Sequence, residues 1–245
     1  YGADALKFTL TYLCAQGQDI LIDNESFKFG SKFCNKVWNA SRYVLGNLEG
    51  RNLIPVKDEE LTELDRWIYT ELNTAAKNAR EALDSYRYND AASAVYEYFW
   101  NNFCDWYVEA TKLVFWHGSD AEKDRQISVM LNVMEESLRL LHPFIPFVTE
   151  EIYSKLPLDL LIENRKKAGV QKILSNSQYN SMLVAAPYPE YLGSRENKDI
   201  TARFDSLQDL IRSVRGLRNE CGVNPADKIN LAVLIVKEIG RASCR

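Results

Sequence analysis

Six apolar residues, Phe29, Phe33, Val37, Ala40, Val44 and Leu48, recur at steps of four, four, three, four and four. That period matches 3.6 residues per turn and excludes the alternation of a strand. It requires an amphipathic helix about 20 residues long, one face of which another element must cover. Gly50 and Pro55 end it.

The neighbouring segments repeat the pattern. Residues 3–15 put Leu6, Phe8, Leu10 and Leu13 around a helical face, with Gly17 as the stop. Thr62 and Asp65 have capping-box spacing, followed by the stripe Leu64, Ile68, Leu72, Ala75, Ala79 and Leu83. Residues 89–114 are the most aromatic part of the chain, and being apolar on nearly all sides they read as a central helix containing Trp100, Phe103 and Trp106. A further helix over 121–141 must stop at His142, because a residue before proline is pushed out of the α region. Pro146 suits the first turn of the next, where Glu150 and Glu151 complement the dipole.

The pattern fails over 157–178, which fits an inserted loop or a short helix. Residues 182–186 read as a short strand closed by Pro187 and Pro189, and the β-branched run 229–236 as a second. Between them 205–220 is helical, with Gly222 as its stop. The expected fold is mainly α. An antiparallel helical bundle over 1–156 is followed by a loop or insertion over 157–180 and a small α/β appendage over 181–239, with 240–245 a tail foreign to the fold.

Composition narrows the function. Thirty-four acidic against 30 basic residues give a net charge of −4, so any nucleic-acid site must be a local patch. The apolar run 231–236 is too short to span a membrane, which takes about 20 residues. Five scattered cysteines, Cys14, Cys34, Cys104, Cys221 and Cys244, lack zinc-ligand spacing. A reduced, cytoplasmic chain without structural metal is expected. It opens at Tyr1 with no secretory signal and is expected to be part of something longer. His117 and His142 have no nucleophile at a motif spacing, and there is no Gly-rich phosphate loop, so no catalytic residues are assigned.

One face of the helix at 29–48 carries more promise. At 100° per residue Lys32, Lys36, Asn39 and Tyr43 fall within about 60° of one another, with Asn35 and Arg42 on the next strip. Between 31 and 47 there are three basic residues and no acid. Cations for phosphate, amides for base edges and an aromatic plane for a splayed base are what a single-stranded RNA loop requires. The same spacing also serves a solvated helix face. Arg212 and Arg215 point outward from a helix whose apolar side is Leu207, Leu210, Val214 and Leu217, and they are open to the same two readings. Arg218 is expected to pair with Asp205, Asp209 or Glu220.

GADALKFTL at 2–10, AQGQDI at 15–20, FCNKVWNASRYVL at 33–45, FCDWYVEATK at 103–112, LHPFIPFVTEEIY at 141–153, AAPYP at 185–189 and IRSVRGLRNECGVNPADKI at 211–229 occur in order. Together they resemble the C-terminal half of the valyl-tRNA synthetases. The isoleucyl and leucyl relatives share such a bundle, but the run at 35–42 favours the valyl family. The resemblance implies an anticodon-binding region detached from catalysis, since the HIGH and KMSKS motifs and an editing domain are absent. It implies that ATP and magnesium serve the parent enzyme, with no cofactor in this fragment. The implied partners are the anticodon loop of valine tRNA and the parent's catalytic domain in cis, with no membrane, and an oligomer is not implied. Carried over position by position, Lys36, Asn39, Arg42 and Tyr43 fall on the family's anticodon-reading helix, where Phe is common at the place of Tyr43. A rival of another class is a helical protein-interaction module.

Overall fold

A computed structural model describes residues 1–15, 17, 22–169, 182–224, 227 and 228. The chain divides into two compact units, Tyr1–Thr201 and Ala202–Arg245. The first is a helical bundle of α1 (Ala3–Leu13), α2 (Asn24–Gly46), α3 (Glu63–Asp84), α4 (Tyr88–Glu97), a π-helix (Tyr98–Val108), α5 (Glu109–His117), α6 (Asp120–Leu141), α7 (Pro146–Tyr153) and α8 (Leu158–Lys167). No helix among the described residues is long and apolar enough to cross a membrane.

Helix starts follow side-chain chemistry. Asp23 accepts from the Ser26 amide at 2.8 Å and opens α2. Thr62 and Asp65 cap α3 reciprocally, each side chain accepting from the other's amide. Asp65 is fully buried and also accepts from Arg125 of α6 at 2.7 Å, Tyr107 of the π-helix at 3.1 Å and Gln126 at 3.1 Å. One carboxylate thus ties three helices together, and leaving such a group unpaired inside would be costly. The N-terminus of α7 is capped from a distance. Asp4 of α1 accepts from the amides of Phe147 at 3.2 Å and Val148 at 2.7 Å.

The inner face of α2 is the stripe read from the sequence: Phe33, Val37, Ala40 and Val44 are buried, and its outer members Phe29 and Leu48 are half-buried. It packs on α1 through Phe8 and Phe33, whose ring centroids lie 4.5 Å apart. Gly30 makes that approach close, since a Cβ there would stand 2.3 Å from the Ala5 carbonyl oxygen.

Four expectations need correction. The helix enclosed on nearly all sides is α6, where every residue from Gln126 to Leu141 except Asn132 is buried. The aromatic helix instead buries one side: Phe99, Phe103 and Tyr107 are enclosed, Trp100 and Trp106 are only half-buried, and Trp116 is 67% exposed. Hydropathy conceals the centrality of α6 because Glu135, Glu136 and Arg139 lie on it. Glu135 holds Arg139 and Arg165 at 2.9 Å each, and Glu136 holds Arg195 at 2.8 Å. Charges buried in mutual pairs look like a solvated face in the sequence. This cluster borders a cavity of about 760 Å³ between α3, α6 and α8.

No strand forms among the described residues, so the expected α/β appendage shows only helix there. Met182 is extended, but Leu183–Ala185 closes into a 3₁₀ turn. The Glu150 carboxylate takes the amides of Leu183 and Val184 at 2.8 and 3.2 Å, and Pro187 and Pro189 lack the donors a ladder would need. The second expected strand, 229–236, and the tail at 240–245 lie outside the described residues. Within 157–178, residues Leu158–Lys167 form α8, joined to α6 by Arg165. The helix expected over 205–220 begins earlier, as α9 (Lys198–Glu220). Arg218 there donates to the backbone carbonyls of Asn224 at 2.5 Å and Asp227 at 2.9 Å, and so satisfies the helix exit in place of the expected acid pairing.

Candidate nucleic-acid interface

On the outer face of α2, Lys32, Asn35, Asn39 and Arg42 are exposed. Their side chains make no hydrogen bond or ion pair among the described residues. Lys36 and Tyr43 are half-buried because the long helix running from α4 through the π-helix to α5 passes beside them.

Lys36 is held twice. Its Nζ donates to Asp105 Oδ1 at 2.7 Å and lies 5.0 Å from the centre of the Trp100 ring, so a cation–π contact floors the ion pair. Two turns along, Tyr43 meets Phe115 edge to face at 6.4 Å, and Lys112 sits over its ring at 5.8 Å. Burial raises the Tyr43 phenol above its ordinary value, hydrogen bonds to Asn47 and Thr111 oppose the shift, and the nearby Glu109 charge reinforces it. The phenol is therefore neutral at physiological pH and presents a ring with a donor.

The second wall of this surface lies 69 residues away in the chain, beyond what spacing along α2 alone can show. Asp105, Glu109 and Lys112, at spacings of four and three, form a charged face on an otherwise aromatic helix, and that was the available signal. The acid alters the electrostatics too. α2 alone carries three cations and no acid over 31–47, yet Asp105 neutralises one of them.

The other arginines occupy the second unit. Arg212 donates to Asp209 at 3.0 Å and to Gln208 at 3.1 Å, so its charge is already matched within α9. Arg215 is exposed on the same helix.

This bundle, with a polar and aromatic face on its second helix, has known counterparts. Residues 65–235 match the family model for the anticodon-binding domain of tRNA ligase. The chain belongs to that family. As an anticodon-binding domain it is similar to valine–tRNA ligases along nearly its whole length. The Treponema denticola enzyme is 55% identical over 97% of this chain and 25% of its own length. The Treponema pallidum enzyme is 52% identical over 94% and 23%. The chain therefore spans about a quarter of the length of these relatives. The Agrobacterium radiobacter K84 LeuRS in a LeuRS–tRNA–LeuAMS ternary complex has the same fold over 80% of this anticodon-binding domain and 20% of that chain, at a TM-score of 0.52 and 18% identity.

Proposed function

We propose that this domain selects valine tRNA for a valine–tRNA ligase by binding the anticodon loop along the outer face of α2. The observation that carries the reading is the row of uncommitted polar groups on α2, Lys32, Asn35, Asn39 and Arg42, beside the half-buried Lys36 and Tyr43, in a chain 55% identical to such a ligase. Arg42 and Lys32 supply cations to phosphate, Asn35 and Asn39 donate and accept at base edges, and Tyr43 offers a ring for stacking. Arg215 makes a secondary phosphate contact, joined by Arg212 as phosphate displaces its exposed Asp209 partner. The chemistry that joins valine to tRNA, with ATP and magnesium, belongs to parts of the ligase outside these 245 residues. The catalytic domain is then a partner in cis and the cytoplasm the place of work.

The test is a titration of the 245-residue chain with valine tRNA and with one anticodon-mutated tRNA over a range of salt. Tyr43→Ala should weaken binding by about 1 to 3 kcal/mol while Tyr43→Phe changes little, because stacking uses the ring and not the hydroxyl. Affinity should fall steeply with salt as counterions are released. A folded Tyr43→Ala variant with the parent's affinity and anticodon preference would refute the reading. Salt-independent binding would point instead to a helical protein-interaction module.

A further inference from the structure

An acid at the centre of an RNA-facing surface is at odds with simple phosphate attraction. Asp105 nevertheless stands beside Lys36, in the middle of the α2 stripe, with its side chain 46% exposed. It is placed there by the π-helix, an eleven-residue stretch where such geometry is usually a single-turn bulge, frequently at a functional site. The pair also keeps hydrogen-bonding capacity in reserve. Asp105 Oδ1 accepts from Lys36, while Oδ2 makes no other hydrogen bond among the described residues. The ammonium has three donors and gives one to Asp105.

Lys36 can only donate and Asp105 can only accept. Held 2.7 Å apart, with the ammonium over Trp100, they present one donor and one acceptor in fixed order. The exposed edge of an unpaired base presents the complementary choice. Adenine and cytosine show an exocyclic amine beside a ring acceptor, whereas guanine and uracil show a carbonyl beside a ring N–H. In a fixed pose, exchanging one class for the other sets donor against donor and acceptor against acceptor, and unpaired polar groups at a contact are costly.

We propose that Lys36 and Asp105 form a single donor–acceptor reader of one base's Watson–Crick edge, by which this surface separates amino bases from keto bases. The proposal rests on the anticodon-binding reading above and adds to it the residue that sets specificity. Asp105 acts by touching the base, and the π-helix acts by aiming Asp105.

Electrostatics gives the test a sign. Asp105→Asn is nearly isosteric and removes a negative charge, so a surface that works by attraction alone would bind RNA more tightly. An amide can both donate and accept, so a base reader loses its discrimination. The 245-residue chain and its Asp105→Asn variant, both checked for fold by circular dichroism, are titrated with valine tRNA transcript and with three transcripts in which one anticodon base is switched between the amino and keto classes. The expected result is that the parent discriminates about tenfold or more against at least one switched transcript. Asp105→Asn should bind valine tRNA about tenfold more weakly and lose most of that ratio. Tighter binding of all four transcripts by the variant would overturn the proposal and leave the acid a mere tether for Lys36. Equal weakening of all four would also overturn it, making Asp105 a positioning residue. Parental binding that depends on Tyr43 but ignores the class switch would overturn the reader while sparing the anticodon reading. Absence of any binding by the parent would overturn both.

Discussion

Gly30→Ala tests the close approach of α1 and α2. A Cβ at Gly30 would lie 2.3 Å from the Ala5 carbonyl oxygen and 2.5 Å from Thr9 Oγ1. Ordinary contact begins near 3.4 Å, so the two helices must part by about 1 Å at this point. The first obstacle is backbone, and no rotamer change can relieve it. Overpacking of this kind costs about 1 to 3 kcal/mol. Alanine is favoured over glycine within a helix by about 1 kcal/mol, which offsets part of the loss. The difference spans about 0 to 2 kcal/mol, and its centre, destabilisation by about 1 kcal/mol, is a fall in melting temperature of about 2 to 4 °C for a chain of this size. Gly46→Ala is the internal control, because at the end of the same helix nothing lies within 4 Å of the added carbon. It should leave stability unchanged or raise it slightly. Thermal unfolding followed by circular dichroism reads both. A Gly30→Ala variant that melts at or above the parent would show that the helices have room to spare, and the account of their packing would be wrong.

Three further expectations concern the core and its titrating groups. Phe103 is fully buried against Phe99 and Tyr107, so Phe103→Ala should cost about 3 to 5 kcal/mol in denaturant unfolding, while Trp116→Ala should stay within about 0.5 kcal/mol; comparable losses would contradict the one-sided burial of the aromatic helix. Burial pushes the Glu136 pKa up, but Arg195, Arg165 and Arg139 outweigh it and hold the carboxyl below its ordinary value of 4.5. A depressed folded pKa contributes stability above the unfolded value and loses it as pH falls through the folded one. The melting temperature should therefore drop below about pH 4.5, and less steeply in Glu136→Gln; an unchanged slope would refute the assignment. Burial pushes the thiols of Cys34 and Cys104 up to about 12, whereas Cys14 and Cys221 are exposed. A thiol reagent followed by peptide mapping should label the exposed pair first, and equal labelling of Cys104 would show that it is not enclosed.

Local signals carried the helices into the sequence. The Thr62 and Asp65 box, the proline after His142 and the left-handed glycines at 17 and 222 each act within a few residues, and each marks a helix boundary in the structure. Non-local pairing carried the rest. Glu135, Glu136 and Arg139 look like a wet helix face until Arg165 and Arg195 arrive from 30 and 59 residues away. The 3₁₀ turn at Leu183 is set by Glu150, which no pattern near residue 183 reveals. The same division holds for the candidate site. The angular clustering of Lys36, Asn39 and Tyr43 follows from spacing on one helix. The acid opposite Lys36 lies on a π-helix 69 residues away, a pairing that spacing along either helix alone does not reveal.

The bond from Asp4 to Phe147 and Val148 gives the bundle a direction in time. A chain made from its N-terminus exposes the Asp4 carboxylate as soon as α1 appears, yet the amides it serves follow more than 140 residues later. At about 5 to 20 residues per second that interval lasts roughly 7 to 30 seconds. Through it α1 and α2 can already embrace, but the clasp between the first and seventh helices stays open, and closing so long a loop is what makes such contacts late in folding. The joining of α1 to α7 is thereby one of the late steps, followed only by pairings such as Glu150 with Leu183 and Glu136 with Arg195.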